Sequence, residues 1–174
     1  MKNVFILLSM VLVGCNAFNF QGATRPLGFF DPFGFIAKSD TAEIVRYREA
    51  ELKHGRCGMI SAVSIPLLES STHKPAIHAF DQLNDLDKVV ILTAIMAAEV
   101  SIILRGWENP YTQPNKYFKM KEDYQPGDLG LKINTNPSDD LLNKELNNGR
   151  LAMIASIGMI VQELVTDQPL LSGF

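Results

Sequence analysis

Apolar residues gather in four blocks separated by polar, turn-rich segments. The first block, residues 4–13, is interrupted only by Ser9, follows the early cation Lys2 and is trailed by the small residues Gly14 and Ala17. That is the layout of a signal peptide over residues 1–17, with a core short of the ~20 residues needed to span a bilayer. Two rivals are a first membrane anchor and a lipoprotein-type cleavage before Cys15. The second block fills the later half of a helix predicted from Thr41 to about Glu69, capped by Ser39 or Asp40 with Glu43 three residues after Asp40. At 1.5 Å per residue this helix is roughly 40 Å long, more than a hydrocarbon core. Pro66 should kink its last turns. The third block, residues 89–104, reaches about 20 residues when Leu86 to Trp107 is counted, with Lys88 and Arg105 able to snorkel. The fourth lies in a helix from Asp139 or Asp140 to about Thr166, ended by Asp167 and Pro169, with Glu163 meeting water near its end. The pattern predicts an all-α membrane protein with three transmembrane helices.

The first and last of these helices carry the same signature. E-L-K-H-G-R-C-G-M over residues 51–59 returns as E-L-N-N-G-R-L-A-M over residues 145–153, displaced by 94 positions. Glu51 and His54 share a helix face, whereas Arg56, five residues beyond Glu51, points elsewhere. Glu145, Asn148 and Arg150 repeat that geometry. Isolated charges at membrane depth cost several kcal/mol. The economical solution is exchange: Arg56 pairs with Glu145, and Arg150 with Glu51. The two helices are then related by a pseudo-twofold axis and cross, with the middle helix standing apart.

Salt bridges alone leave two features unexplained. His54 and Asn148 occupy the same place in the repeat, and both can offer a lone pair to a metal. Gly58 and Ala152 follow one turn later and keep a face flat. A carboxylate neutralised by arginine retains an oxygen suited to a hard cation. Scattered single ligands fit a magnesium held in a planar macrocycle better than a bare ion, which needs a cage. Gln162 aligns with Asn148 and is read as a further ligand or as interhelical glue. Glu99 has no basic partner on its own helix, so it is a ligand, is paired in trans, or sits in a bilayer defect.

The connections narrow the picture. Phe29, Phe30, Phe33 and Phe35 crowd a loop punctuated by Pro26, Gly28, Pro32 and Gly34. Such a loop lies on the protein's own core, clamps a hydrophobic ligand or sits at an interface. Residues 68–80, with His73 and His78, read as a connection. The long segment after Trp107 contains a turn, P-G-D-L-G over residues 126–130. A net charge of -3 with no basic stripe argues against a nucleic-acid partner. Two cysteines, one in the leader, imply no disulfide framework. No nucleophile and base form a credible pair, so no enzyme is expected.

The paired signatures, with P-L-G-F-F-D-P-F-G at 26–34, K-P-A-I at 74–77 and K-E-D-Y-Q-P-G-D-L-G at 121–130, resemble the chlorophyll-binding light-harvesting antenna proteins of thylakoids. The chain is most similar to the fucoxanthin chlorophyll a/c type of algae with complex plastids. The resemblance covers about residues 26–170, and the light-harvesting domain is taken as 26–174. It implies chlorophyll a, chlorophyll c and a fucoxanthin-type carotenoid as cofactors. Glu51, His54, Glu99, Glu145, Asn148 and Gln162 would be axial ligands of chlorophyll magnesium, with Arg150 and Arg56 compensating charge. Two carotenoids would lie beside the outer helices, one closed off by the loop with Phe29 and Asp31. Asn16, Ala17 and Phe18 resemble the junction between a signal peptide and a plastid transit segment, here residues 18–25. Implied partners are thylakoid lipid, other antenna subunits, a photosystem core and further copies of the chain. The sequence departs from the family at residues 130–133, where a second Phe-Asp-Pro turn is usual, and in a middle helix thin in polar residues. The expected function is transfer of excitation toward a photosystem. The alternatives are a photoprotective antenna and a small pigment-free transporter or scaffold built on Glu99 and Gln162.

Overall fold

The structure, a computed structural model, describes residues 23, 24, 28–116, 118–121, 123–130 and 138–170. The proposed signal and most of the transit segment, and the departure at residues 131–133, lie outside the described residues. Three α-helices dominate: α1 (Thr41–Thr72), α2 (Asp85–Gly106) and α3 (Asp139–Thr166). Short 3-10 turns at Ile36–Lys38, Ala76–His78 and Pro114–Lys116 punctuate the connections.

Each helix starts where its sequence supplies a cap. Asp40 accepts from the Thr41 amide at 2.7 Å, and Ser138 Oγ accepts from Leu141 at 3.4 Å, satisfying N–H groups that have no partner inside the helix. Asn84 precedes α2 without a side-chain cap bond, and Asp85 and Asp87 instead place negative charge at its N-terminal end. Pro66 does not end α1, which continues to Thr72. Both outer helices close in the same way. His73 (φ 54°) and Asp167 (φ 50°) adopt left-handed backbone, and their N–H groups donate to the carbonyls of Glu69 and Glu163 at 2.8 Å. These two residues are again 94 positions apart, so the repeat runs past the helix ends.

Helices α1 and α3 pack on each other and run in the same direction, since Gly55 lies against Gly149 and Gly58 against Met153. A Cβ added to Gly55 would stand 3.1 Å from Gly149 Cα, and one added to Gly149 would stand 2.9 Å from Gly55 Cα. Only glycine lets the two backbones approach so closely. The Ser156 hydroxyl lies 2.9 Å from the Gly58 carbonyl oxygen across the contact and 2.8 Å from the Ala152 carbonyl on its own helix. Gly58 and Ala152 are therefore consumed by this contact and do not flatten an outward face, as the sequence had suggested. Each is buried because the other helix passes over it.

Helix α2 stands apart. Among the described residues it forms no extended packing surface with α1 or α3. Leu86, Val90, Met96 and Leu104 are among its many exposed apolar side chains. Its C-terminal end is anchored by the following segment, where Met120 is buried against Gly106 and Lys121 donates its amide to the Gly106 carbonyl at 2.9 Å. By length and composition, α2 and α3 can each cross a membrane.

Candidate functional site

The exchanged pairs are present. Arg56 Nε donates to Glu145 Oε1 at 2.8 Å. Arg150 brings Nε and Nη2 each to 2.8 Å of Glu51 Oε1. All four side chains are partly exposed, so each carboxylate is neutralised from the neighbouring helix yet still faces outward. Arg48, one turn before Glu51, adds a bond the sequence reading missed, from its Nη1 to Glu51 Oε2 at 2.9 Å.

A loop braces this layer. Glu49, buried, accepts from the Gly127 amide at 2.6 Å and lies 3.3 Å from the Tyr124 hydroxyl. Arg56 Nη1 donates to the Gly127 carbonyl at 2.9 Å. Gly127 sits at φ +83°, and a Cβ there would meet Arg56 Nη2 at 2.9 Å, so this turn position requires glycine. Burial first, and then the Glu49 carboxylate, raise the pKa of the Tyr124 phenol well above its ordinary value.

The remaining ligand candidates point outward. The His54 Nδ1 lies 2.7 Å from the Ala50 carbonyl, which can only accept, so Nδ1 carries a proton and Nε2 is the ring nitrogen left to face outward. His54, Asn148 and Gln162 are all exposed, and no hydrogen bond holds either amide side chain among the described residues. On α3, the helix of Asn148 and Gln162, Leu151, Ile154, Val161 and Val165 are exposed too. Glu99 has found its partner in trans: Lys53 Nζ on α1 donates to Glu99 Oε2 at 2.8 Å. Lys53 thus does for Glu99 what the arginines do for Glu51 and Glu145.

Asp31 turns back on its own loop, accepting from Phe35 at 3.0 Å and Ile36 at 2.9 Å. Phe29, Phe30, Phe33 and Phe35 are exposed, so the loop does not bury its rings in the protein's own core.

At the far end of the outer helices the structure corrects one expectation. Glu163, placed at the water boundary by its position in the sequence, is fully buried. Its Oε2 accepts from the Ile77 amide at 2.9 Å, because the chain after α1 returns over the end of α3. Glu69 does the converse, accepting the Leu170 amide after α3 at 2.9 and 3.0 Å on its two oxygens. The two carboxyls are neighbours, and Glu163 Oε1 has no hydrogen-bond partner among the described residues. Glu69 is 18 residues beyond Glu51, as Glu163 is beyond Glu145, so the repeat carried this signal.

The donor set fits chlorophyll. Two neutralised carboxylates, an imidazole and two amides without a hydrogen bond, set singly along the outer helices, suit magnesium already held by a ring. Among the described residues no cluster of three or more His, Cys, Asp or Glu could cage a bare ion. Parallel outer helices locked by exchanged arginine–glutamate pairs, with a third helix set apart, form the three-helix architecture of pigment-binding antenna proteins. The chain belongs to the chlorophyll A-B binding protein family, which it matches over residues 18–164. It is 37% identical over 166 residues to light-harvesting complex stress-related protein 3.2 of Chlamydomonas reinhardtii, covering 84% of this chain and 63% of that protein. It is 36% identical over 163 residues to a fucoxanthin-chlorophyll a-c binding protein of Isochrysis galbana, covering 86% and 78% respectively. A fucoxanthin-chlorophyll a-c binding protein of Chattonella marina var. antiqua is 33% identical over 176 residues, covering 96% of this chain and 78% of that protein. The chain thus spans less than two thirds of the stress-related relative's length. The family is one of non-catalytic pigment-binding antennae.

Proposed function

We propose that this protein is a thylakoid antenna that holds chlorophylls and carotenoids at fixed positions and passes absorbed excitation toward a photosystem. The observation that carries this reading is the exposed His54 ring together with the amides of Asn148 and Gln162, which make no hydrogen bond among the described residues and share their helix with exposed apolar side chains. In lipid alone such groups are expensive, and a metal-centred ligand removes the cost. Glu51, Glu145, His54, Asn148, Gln162 and Glu99 would be the axial ligands. Arg150, Arg56 and Lys53 would keep three of them neutral enough to remain in the membrane. Bound chlorophyll supplies absorption and resonance transfer; the chain supplies position, orientation and exclusion of water.

The reading places all three helices across the membrane, although α1 is charged through its first half. From Glu51 to Glu69, and from Glu145 to Glu163, the rise is roughly 27 Å, close to the hydrocarbon thickness of about 30 Å. The paired carboxyls of each end would then lie at the two boundaries. The apolar face of α2 would be covered by pigment and lipid, and Phe29 with its neighbours would close over a carotenoid end, with Asp31 holding that loop's shape. Likeness to fucoxanthin-chlorophyll a-c binding proteins supports chlorophyll a, chlorophyll c and a fucoxanthin-type carotenoid. Residues 1–17 as a signal peptide and 18–25 as a short transit segment would deliver the chain to a plastid. There it would join other antenna subunits, copies of itself and a photosystem core.

Likeness to the stress-related protein favours a second reading, a photoprotective antenna that dissipates excitation. Purification in mild detergent and an absorption spectrum test the pigment reading, which a colourless protein would end. A fluorescence lifetime that shortens between about pH 7 and 5, the range in which acidic side chains with raised pKa values and histidines titrate, would select the photoprotective form.

A further inference from the structure

The two repeat copies place their glutamates in different electrostatic surroundings. At Glu51, Oε1 receives Nε and Nη2 of Arg150 at 2.8 Å, and Oε2 receives Nη1 of Arg48 at 2.9 Å. At Glu145, Oε1 receives only Nε of Arg56 at 2.8 Å, while Arg56 spends Nη1 on the Gly127 carbonyl. Glu145 Oε2 has no hydrogen-bond partner among the described residues. The sequence writes this inequality: the residue 94 positions after Arg48 is Leu142. Arg48 is half-buried, its side chain 20% exposed against 29% for Glu51, so water screens the pair only in part.

Each charge-assisted hydrogen bond draws electron density from the carboxylate that accepts it. The oxygen of Glu51 left over by Arg150 is the one Arg48 holds. We infer that Arg48 is a positioning residue that makes Glu51 the weaker of the two symmetry-related pigment ligands. This rests on the pigment-binding reading above. Under it, Glu145 retains its chlorophyll more firmly, and the two sites differ in the energy of the transition they impose on the ring.

The test uses the full pigment-loaded chain, challenged with detergent while its absorption bands are followed. The paired variants Glu51→Leu with Arg150→Leu, and Glu145→Leu with Arg56→Leu, assign one band to each site. In the wild type the Glu51 band is lost first. Arg48→Leu slows its loss by about tenfold, the lower end of the usual effect of a metal ligand's own partners, and leaves the Glu145 band unchanged. Arg48→Lys, which keeps the charge, restores the wild-type order. Leu142→Arg installs the missing cation and speeds loss of the Glu145 band, which decides the matter even where Arg48→Leu does not fold. Pigment present, but with a loss order that neither Arg48→Leu nor Leu142→Arg alters, overturns the inference alone. A wild-type chain that carries no chlorophyll overturns the pigment reading instead.

Discussion

Arg150 on the third helix reaches the carboxylate of Glu51 on the first with two of its nitrogens, each 2.8 Å from the same oxygen. The contact joins residues 99 positions apart and is answered by Arg56 on Glu145. Removing Arg150 leaves Glu51 with Arg48 as its remaining cation and takes away the contact that ties the two helices together. Arg150→Leu is expected to destabilise the protein by about 1.5–3 kcal/mol, the worth of hydrogen bonds to a charged group, and to empty the Glu51 site. Glu51→Leu combined with Arg150→Leu should recover part of the stability but not the pigment. Thermal unfolding and pigment stoichiometry read the two effects separately, and unchanged stoichiometry in the single variant would refute the exchange.

Gly149→Ala tests the crossing. The new Cβ would stand 2.9 Å from Gly55 Cα, a backbone atom that cannot move aside alone. Overpacking of this kind costs about 1–3 kcal/mol. The same change at Gly158, where a Cβ would meet nothing within 4 Å, should be close to neutral. Equal melting temperatures for the two variants would show that the helices do not touch at Gly55.

Glu163 offers a contrast between two substitutions. In Glu163→Gln the amide oxygen can still accept from Ile77, while the new NH2 offers Glu69 a donor. Glu163→Ala abandons the Ile77 amide and leaves Glu69 without its neighbour. The alanine variant should lose about 1–3 kcal/mol and the glutamine variant less than half of that, judged by melting temperature. A glutamine variant as unstable as the alanine one would contradict the arrangement of the two carboxyls.

Tyr124 sets a pH dependence in the bracing loop. Its folded pKa is raised by burial and by Glu49, so folding favours the protonated phenol. That contribution is complete below the ordinary phenol value of about 10 and is lost as pH climbs toward the raised folded value. Limited proteolysis of the loop should therefore accelerate above about pH 10 in the wild type. Tyr124→Phe should flatten that dependence while weakening the loop by about 0.5–1.5 kcal/mol at neutral pH. An identical alkaline profile in both proteins would remove Tyr124 from the account.

Much of this arrangement was legible in the sequence because a repeat supplies two readings of one geometry. The start of α1 at Thr41, the extent of α3 and both exchanged pairs follow from charge, capping and the 94-residue displacement. Three things did not follow. Lys53 reaches Glu99 from another helix, and no spacing along α2 announces it. Glu163 looked wet because it sits near a helix end, whereas its burial depends on where the chain returns after α1. Glu49 and Arg48 looked like ordinary charges in a charged half-helix, and only the docked loop and the facing carboxylate gave them work. Extending the repeat beyond the signature would have found Glu69 and Glu163; nothing equivalent marks Glu49, whose counterpart is Asn143.

The exchanged pairs also impose an order on assembly. A chain that enters the bilayer N-terminus first delivers Glu51 and Arg56 long before Glu145 and Arg150 exist beside them. During that interval Glu51 has only Arg48 of its own helix to answer it, and the carboxylate that Arg56 will pair with has not yet arrived. The final helix is therefore the keystone: a truncated product lacking it exposes a polar scar at a fixed depth, a feature by which a membrane protease could tell an unfinished molecule from a finished one.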